Sequence, residues 1–409
     1  MASLCLIMGI TNAHGQLLED YFRIAAENNP GLQAKYKVFE AALERIPQVS
    51  SLPDPTFSFG YFVSPVETRV GPQLARFSLS QMFPWFGTLK ARGDIAALRA
   101  EAEYQAFLEA RNQLYYQVAA AYYPMYELSR WRTLEYENAA ILESYKTIAT
   151  TRFENAEGTL VDVLRVDIML KDALTNIDIL EDKEQSLVTT FNNLLNWRDS
   201  VAVMVPDSLG ISQDFQGLNR DSTLVNNPVL RELELRRQAG ETQVLLAEKQ
   251  GLPKLGVGLD YVIVGTRNDV PAGTSIQDDG QNAFMPMVSL SIPLFRGKYT
   301  AAQEEARLME ESYSLQWENA INTLTTSFEI AAFDISQQGQ LVGLYTAQID
   351  ETQQVLNLLL TAYGNSGREF EEVLRVQQQL LKYQKLKATA VTKYHIATAR
   401  LNYLTAKLY

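Results

Sequence analysis

The sequence is poor in the residues that build metal, redox and nucleotide sites. It has a single cysteine, Cys5, among 409 residues, and its two histidines are His14 and His395. One cysteine excludes an intrachain disulfide and any CxxC motif, and so few His and Cys side chains cannot form a transition-metal centre. The segment 256–258, Gly-Val-Gly, lacks the third glycine of a dinucleotide-binding fingerprint. We therefore expect no metal, no cofactor and no catalytic residue, and interpret the chain as a non-enzyme.

Long apolar runs and long basic runs are also missing. After the first few positions there is no stretch of about 18 apolar residues, so the sequence predicts no membrane-spanning helix. Lysine and arginine total 36 and aspartate and glutamate 48, which gives a formal net charge of 36 − 48 = −12. An acidic chain without a basic run is a poor match for nucleic acid, and we expect none as a partner.

The N-terminus resembles a secretory signal. Leu4 to Ile10 is a short apolar run, and the small residues Ala13 and Gly15 stand three and one positions before Gln16. This pattern predicts a signal peptide over residues 1–15, cleaved before Gln16, and hence export from the cytoplasm. No basic residue precedes the apolar run, so a frayed N-terminus is the alternative.

The chain repeats itself with a long period. An Asn-Asn-Pro triplet at 28–30 recurs at 226–228, a shift of 226 − 28 = 198 residues, and Val-Leu-Arg-Val at 163–166 recurs at 373–376, a shift of 373 − 163 = 210. A period of about 200 residues is too long for a solenoid unit and indicates a duplicated half-protein. Each half is predicted to hold a helix, two strands, a long helix, a tight turn and a return helix. The predicted repeats are 16–222 and 223–409.

Four segments of roughly ten residues alternate between large apolar and small or polar side chains. In the first of them, four aromatic or aliphatic residues face away from Ser58 and Gly60. Such strands are typical of an outer-membrane barrel, and a soluble sandwich with the same alternation is the alternative. The predicted strands are 56–63, 75–83, 254–264 and 284–294.

The rest of the chain has helical composition over unusually long stretches. At 1.5 Å per residue, the two longest predicted helices span roughly 105 and 100 Å, and the return helices roughly 60 Å each. Pro124 is expected to kink or break the first long helix. Residues 198–222 are predicted to form an irregular equatorial linker around a short β-like run at 201–205. The predicted helices are 16–47, 87–156, 159–197, 222–251, 297–363 and 368–407.

Four strands cannot close a barrel, and an open sheet edge in lipid would leave backbone groups unpaired at several kcal/mol each. A chain that spans the membrane must therefore oligomerise. Two copies would supply eight strands and three would supply twelve, and both are allowed even counts.

Several short motifs surround the strands and the helical turns. They are Pro53-Asp54-Pro55, Phe83-Pro84-Trp85-Phe86-Gly87, Ile292 to Gly297, Arg152 to Asn155 with Gly158, and Tyr363-Gly364-Asn365 with Gly367. In these motifs and in the order of its elements the chain resembles the TolC family of outer-membrane efflux channels. The Pro-Trp-Phe-Gly motif is most similar to heavy-metal efflux members.

The resemblance implies an α+β membrane protein in the outer membrane, with a long periplasmic extension. Long α-helical hairpins would form a periplasmic α-barrel, and each chain of a homotrimer would contribute four strands to a twelve-stranded transmembrane β-barrel. The resemblance also implies two partners, a periplasmic adaptor (membrane fusion protein) and an inner-membrane pump.

Three groups of residues are candidates for function. Trp85, Phe86 and Phe295 follow strands and are expected to be aromatic anchors at the membrane interface, with plain packing at a sharp corner as the alternative. The turns holding Asn155 and Gly158 are expected to reverse the helices, because Asn and Gly tolerate a left-handed backbone. Their counterparts in the second repeat are Asn365 and Gly367. The resemblance implies that both turns contact the adaptor.

The third group is acidic. Asp162 and Glu372, equivalent under the 210-residue shift, would place six carboxylates around the closed end of a trimer, a ring that attracts cations. The resemblance implies that acidic residues here narrow the periplasmic aperture. Arg165 and Arg375 are expected to pair with these acids and lock the tip, whereas ordinary solvated charges are the alternative.

We therefore predict an outer-membrane channel subunit of a tripartite efflux system that conducts substrates passively. A non-conducting envelope coiled-coil scaffold is the alternative, and a soluble periplasmic binding module is a second one.

Overall fold

The computed structural model describes residues 13–198, 201–212, 224–269, 271, 273, 277–366 and 370–407, and only the backbone of 13–17 and 364–366. Most of the predicted signal peptide, residues 1–12, lies outside the described residues. The described chain contains seven long helices and four strands. The helices are α1 (Ala13–Asn28), α2 (Pro30–Ser50), α3 (Thr88–Glu154), α4 (Leu160–Leu194), α5 (Pro228–Gln250), α6 (Gly297–Ser366) and α7 (Phe370–Leu404), and the strands are β1 (Thr56–Thr68), β2 (Gly71–Phe83), β3 (Lys254–Val264) and β4 (Ala283–Ser291).

Two compact units make up the chain, and each takes segments from both halves of the sequence. The helical unit comprises residues 1–36, 106–230 and 319–409, and the sheet unit comprises 37–105 and 231–318. The two units therefore do not coincide with the predicted repeats, because each repeat contributes to both.

The strands of the sheet unit form one antiparallel sheet in the order β1-β2-β3-β4. On one face the large apolar side chains are exposed, whereas the other face carries mostly glycine, serine and methionine together with Arg76 and Asp260. The exposed apolar residues are Phe57, Phe59, Tyr61, Val63, Leu79, Val257, Tyr261, Val288 and Leu290. The alternation expected from the sequence is therefore present in the sheet.

Three strand ends differ from the prediction by more than one residue. β1 runs on to Thr68 rather than residue 63, and β2 begins at Gly71, because the two strands resume pairing after an irregularity between Tyr61 and Val66. Such an interruption suits Pro65, which has no N–H to donate to the ladder. β4 ends at Ser291 instead of 294, shortly before Pro293.

The predicted helix 16–47 is two helices that meet at Asn29. Pro30 has no backbone N–H to give to a preceding turn. The side-chain oxygen of Asn29 accepts a hydrogen bond from the N–H of Leu32 at 3.1 Å, which caps the start of α2. The other long-helix and return-helix ends lie within a few residues of the predicted positions, and the helix predicted to begin at 222 begins at Pro228.

Of the two outcomes expected at Pro124, a kink or a break in the helix, the break does not occur. α3 is continuous from Thr88 to Glu154 with the proline inside it. The missing hydrogen bond costs about 3 kcal/mol, but the residues on either side are firmly packed. Tyr122, Met125 and Tyr126 are all buried, and burial of such side chains contributes roughly 1.5–3 kcal/mol each.

The β-like run predicted at 201–205 is not a strand either. Residues 201–212 have no regular secondary structure. Backbone groups of this segment bond to tyrosines: the N–H of Met204 donates to the Tyr21 hydroxyl at 3.4 Å, and the Tyr122 hydroxyl donates to the Met204 carbonyl at 3.3 Å. Residues 199–200 and 213–222 of the predicted linker lie outside the described residues.

Helix packing in the helical unit buries several apolar clusters, one of which lies between α3, α4, α6 and α7. It includes Leu142, Val166, Phe370 and Val373, each nearly inaccessible to solvent. The buried side of α4 is an apolar stripe at Val166, Leu170, Ile177 and Leu180, whereas Leu174 is exposed. Within the described residues, no helix is both long and apolar enough to cross a bilayer.

Candidate functional site

The predicted functional residues fall at two places, the turns between long helices and the junctions between strands and helices. The turn between α3 and α4 is built by the backbone. The N–H of Glu157 donates to the Arg152 carbonyl at 2.8 Å and that of Ala156 to the Phe153 carbonyl at 3.0 Å, a Schellman arrangement in which Ala156 takes a φ of 61°.

The left-handed residue of this turn is therefore Ala156, and the expectation that Asn155 or Gly158 would supply it was wrong. Gly158 has an ordinary φ and is needed for space, since a Cβ atom there would lie 3.2 Å from the Cβ of Arg152. Asn155 still belongs to the turn, donating its N–H to the Thr151 carbonyl at 3.1 Å.

In the second turn, Asn365 lies near the end of α6, with its side chain not described. Gly367 lies outside the described residues. The end of α6 is nevertheless joined to the end of α3, because Arg152 donates to the Tyr363 carbonyl at 3.2 Å and its guanidinium lies 4.4 Å from the centre of the Tyr363 ring.

Asp162 has a local role that the sequence analysis did not assign to it. Its side chain accepts a hydrogen bond from the backbone N–H of Thr159 at 3.3 Å, and its own N–H donates to the Thr159 hydroxyl oxygen at 3.2 Å. This reciprocal pair is a capping box that opens α4. The signal was present in the sequence as Thr-Leu-Val-Asp at 159–162.

The arginines pair differently from the expectation. Arg165 of α4 forms an ion pair with Glu371 of α7 at 2.6 Å rather than with Asp162. Arg375 lies 3.6 Å from Glu372, one turn away on the same helix. Both pairs are largely solvent-exposed, so each contributes little to stability. The sequence did not point to Glu371 as a partner of Arg165, because the equivalent position in α4 holds Val161 rather than an acidic residue.

A second feature missed from the sequence is an exposed apolar strip at the start of α4. Its members recur at three- and four-residue steps along one face of the helix, opposite the buried stripe. The strip consists of Val161, Leu164 and Ile168, with Leu160 beside it.

Beneath the turns, a charged cluster joins α3 to α4. Asp167 accepts from Lys146 at 2.5 Å and lies 2.7 Å from Lys171. The hydrogen bond from Lys146, followed by that from Lys171, lowers the pKa of Asp167 to about 2. The carboxylate therefore stays ionised well into the acidic range.

The other candidate residues lie where strands meet helices. The rings of Trp85 and Phe86 are 6.0 Å apart and nearly perpendicular, and Gly87 follows with a φ of 79°. Phe86 is 78% exposed and Phe295 is 86% exposed, whereas Trp85 is half-buried. Packing at a corner therefore covers Trp85 in part and leaves the two phenylalanines projecting.

The polar face of the sheet carries an ion pair between Arg76 and the fully buried Asp260. Three of the nine methionines, Met82, Met285 and Met287, lie on this face too, opposite Gly256, Asp260 and Gly258 in the strand register. Among the described residues, no group of three or more His, Cys, Asp or Glu side chains is arranged to hold a metal ion.

Comparison with known proteins places this geometry in context. Residues 219–407 match the family described as outer membrane efflux protein. Over 237 residues, 55% of this chain, the sequence is 24% identical to the outer membrane efflux protein BepC of Brucella suis biovar 1 (strain 1330). The matched stretch spans about half of that relative, 48% of its length.

Two solved structures share the fold over nearly the whole chain. A crystal structure of a membrane protein from Pseudomonas aeruginosa has a TM-score of 0.77 at 17% identity, covering 95% of this chain and 93% of that one. The outer-membrane channel OprN has a TM-score of 0.78 at 15% identity, covering 95% and 90%. These comparisons confirm the resemblance to outer-membrane efflux channels and the fold of the chain.

Proposed function

We propose that this chain, which has the fold of outer-membrane efflux channels, is one subunit of a threefold channel in a tripartite efflux system. The channel passively conducts substrates that an inner-membrane pump and a periplasmic adaptor deliver to it. Energy comes from the pump, since the sequence offers no nucleotide-binding motif.

The observation that supports this proposal is that the four-stranded sheet has two open edges and an exposed apolar face. Within the described residues, β1 and β4 each have one strand neighbour, so both edges of the described sheet expose unpaired backbone groups. The same sheet exposes a continuous apolar face. An exposed apolar face and two open edges are tolerable together only if other copies pair with the edges and lipid covers the face. Three copies supply twelve strands, an allowed count for a barrel.

The interfacial residues fit such a barrel. Phe86 and Phe295 directly follow β2 and β4 and are almost fully exposed, as expected for aromatic side chains that meet the lipid headgroups. Trp85, half-buried beside Phe86, serves as the third anchor.

At the far end of the helices we propose the gate. Three copies would bring together three Asp162 and three Glu372 carboxylates. The Arg165–Glu371 ion pair joins the two return helices at the same level, and Arg375 holds Glu372 on its own helix. Separating α4 from α7 would break the first pair, so this pair favours the closed tip.

The turns themselves are the proposed adaptor contacts. Asn155 and Gly158 lie at one turn, and Asn365 and Gly367 belong to the other. The exposed strip at Val161, Leu164 and Ile168 adds an apolar surface directly beside the first turn. Helix-on-helix docking uses anchors at this spacing.

Planar-bilayer recording tests the proposal. Purified protein should insert and give discrete conductance steps, and native mass spectrometry should find three chains of 46.0 kDa per particle, less any cleaved signal. The envelope-scaffold alternative predicts a protein that does not insert into the bilayer and gives no conductance. A protein that purifies as a water-soluble monomer would also refute the channel.

A further inference from the structure

The ends of the strands that adjoin the long helices carry an unusual charge. Consider the ten residues that adjoin each of these four strand ends, namely 46–55, 84–93, 244–253 and 292–301. They contain five basic residues and two acidic ones, Asp54 and Glu248, a net charge of 5 − 2 = +3. The remainder of the chain therefore has a net charge of −12 − 3 = −15. We name the five basic residues the basic collar: Lys90, Arg92, Lys249, Arg296 and Lys298.

The collar residues are not neutralised within the chain. Among the described residues, none of the five lies within 4.0 Å of a carboxylate oxygen of an acidic side chain. Lys249 donates only to the Phe86 carbonyl at 3.5 Å, and the Lys298 ammonium lies 4.8 Å from the centre of the Tyr299 ring. Lys90, Arg296 and Lys298 are exposed, while Arg92 and Lys249 are half-buried.

At the opposite end of the sheet, basic residues are paired with acidic side chains. Arg69 lies 3.9 Å from Asp278, and Arg267 pairs with Asp269 at 2.8 Å. The Arg267–Asp269 hydrogen bond also lowers the pKa of Asp269. Acids thus pair with the arginines at one end of the sheet, whereas the collar forms no ion pair among the described residues, and this difference distinguishes the two ends.

Aromatic side chains occupy the same four segments as the collar. Phe86 and Phe295 project from it, Trp85 lies against Phe86, and Tyr299 lies beside Lys298. Rings with one polar edge favour the depth at which headgroups meet the acyl chains. The groups that lie at that depth in a bilayer are phosphates, and basic clusters beside a membrane-spanning segment attract anionic lipid.

We propose that the basic collar is a binding site for the phosphate groups of anionic phospholipids in the periplasmic leaflet of the outer membrane. The inference rests on the proposed embedding of the sheet in that membrane. In a threefold assembly the collar would supply fifteen cationic groups around the barrel. Arg92 and Lys249, half-buried, hold bound headgroups at fixed positions, while the three exposed members attract lipid more loosely.

The test compares two phospholipids with identical acyl chains, anionic phosphatidylglycerol and neutral phosphatidylcholine. The purified full-length protein is reconstituted into bilayers of each lipid and of their mixture, and native mass spectrometry counts the lipids retained after release. We expect phosphatidylglycerol to be retained preferentially, and the preference to fall at high salt because exposed charges are screened. Excess inorganic phosphate should not displace it, since the lipid is also held by its acyl chains.

A triple variant, Lys90→Gln with Arg92→Gln and Lys298→Gln, should lose about fivefold in preference for each charge removed. The matched control is Lys183→Gln with Lys382→Gln and Lys393→Gln, three exposed lysines of the helical unit. The control should retain the wild-type preference. If the collar variant does not fold, the salt dependence of the wild-type preference decides the question.

Equal retention of the two lipids by a protein that inserts and conducts would overturn the collar alone. The collar would also be overturned if the preference for phosphatidylglycerol survived in the collar variant or fell in the control variant. It would likewise be overturned if inorganic phosphate abolished that preference. A protein that enters neither kind of bilayer would overturn the proposed function and the collar with it.

Discussion

The side-chain amide of Asn29 donates a hydrogen bond to the carbonyl oxygen of Leu194, the last residue of α4, at 3.0 Å. Asn227 makes the same bond to Leu404, the last residue of α7, at 2.9 Å. Both asparagines also accept from a backbone N–H of the helix that follows them. The Asn-Asn-Pro motif that occurs twice in the sequence thus caps one helix while closing the end of another, which supports the interpretation of the chain as a duplicated half-protein.

The two asparagines should differ in what they contribute to stability. Asn227 is buried and Asn29 half-buried. Asn227→Ala leaves the Leu404 carbonyl and the Val229 N–H without their buried partner and should lower the free energy of unfolding by about 1–3 kcal/mol. Asn29→Ala should have a smaller effect because water can replace the side chain. Chemical denaturation of the two variants checks the order, and a larger loss for Asn29→Ala would contradict it.

Much of the fold follows from the sequence because its signals are local. The ends of β3 were predicted at 254 and 264 and lie at Lys254 and Val264, since alternation between large and small side chains is strict there. The exposed apolar face of the sheet was predictable for the same reason. The long helices follow from composition alone, whose signal accumulates over many residues.

The errors arise where tertiary partners decide the outcome. The run 201–205 has strand-like composition, but tyrosine hydroxyls from α1 and α3 bond to its backbone in place of a neighbouring strand. Pro124 was expected to kink or break α3, and its buried neighbours keep the helix continuous. Ala156 took the left-handed position that Gly158 was expected to fill, because the Schellman hydrogen bonds fix that position four residues after Arg152. The Arg165–Glu371 pair joins residues 206 apart, a relation that sequence periodicity does not reveal.

The gate proposal can be tested separately from the capping of α4. Asp162→Ala combined with Glu372→Ala removes all six proposed carboxylates of a trimer and should shift the reversal potential of single channels towards lower cation preference. Asp162→Ala also removes the capping box, so an effect on helix stability must be excluded.

Thr159→Ala provides that control. It removes the hydroxyl that accepts from the Asp162 N–H, at a cost of about 1 kcal/mol, but keeps the carboxylate. We expect wild-type ion selectivity in Thr159→Ala and reduced selectivity in the double variant. Equal selectivity in the wild type and the double variant would argue against a carboxylate gate.

Acid should weaken the link between α3 and α4 in a defined window. The hydrogen bond from Lys146 lowers the pKa of Asp167 from its ordinary value of 3.8 to about 2. A depressed folded-state pKa means that the stabilisation is fully present above pH 3.8 and is lost as the pH falls towards 2. The melting temperature of the wild type should therefore fall more steeply across this window than that of Asp167→Asn.

Asp172→Asn is the matched control for this prediction. Asp172 is exposed on the same helix and, in the part of the chain described, forms no ion pair. Its variant should follow the wild-type melting curve between pH 4 and 2. If the melting temperature of Asp167→Asn fell with pH as steeply as that of the wild type, the Lys146–Asp167 contact would have no measurable effect on stability.

Mild acid should act at a different place, where residues 201–212 contact α7. The Nε2 atom of His395 lies 3.0 Å from the Gly210 carbonyl oxygen, and its ring stacks on Tyr123 with the ring centres 5.0 Å apart. Burial lowers the pKa of His395 below 6.5, and the hydrogen bond to Gly210 opposes this shift only in part. The neutral imidazole is therefore favoured in the folded chain, so its stabilisation is present above pH 6.5 and is lost as the pH falls through the folded-state pKa. His395→Gln keeps a hydrogen-bond donor without the titrating ring. We expect the melting temperature of the wild type to fall between pH 7 and 5 by more than that of His395→Gln, and parallel curves would contradict the role of this histidine.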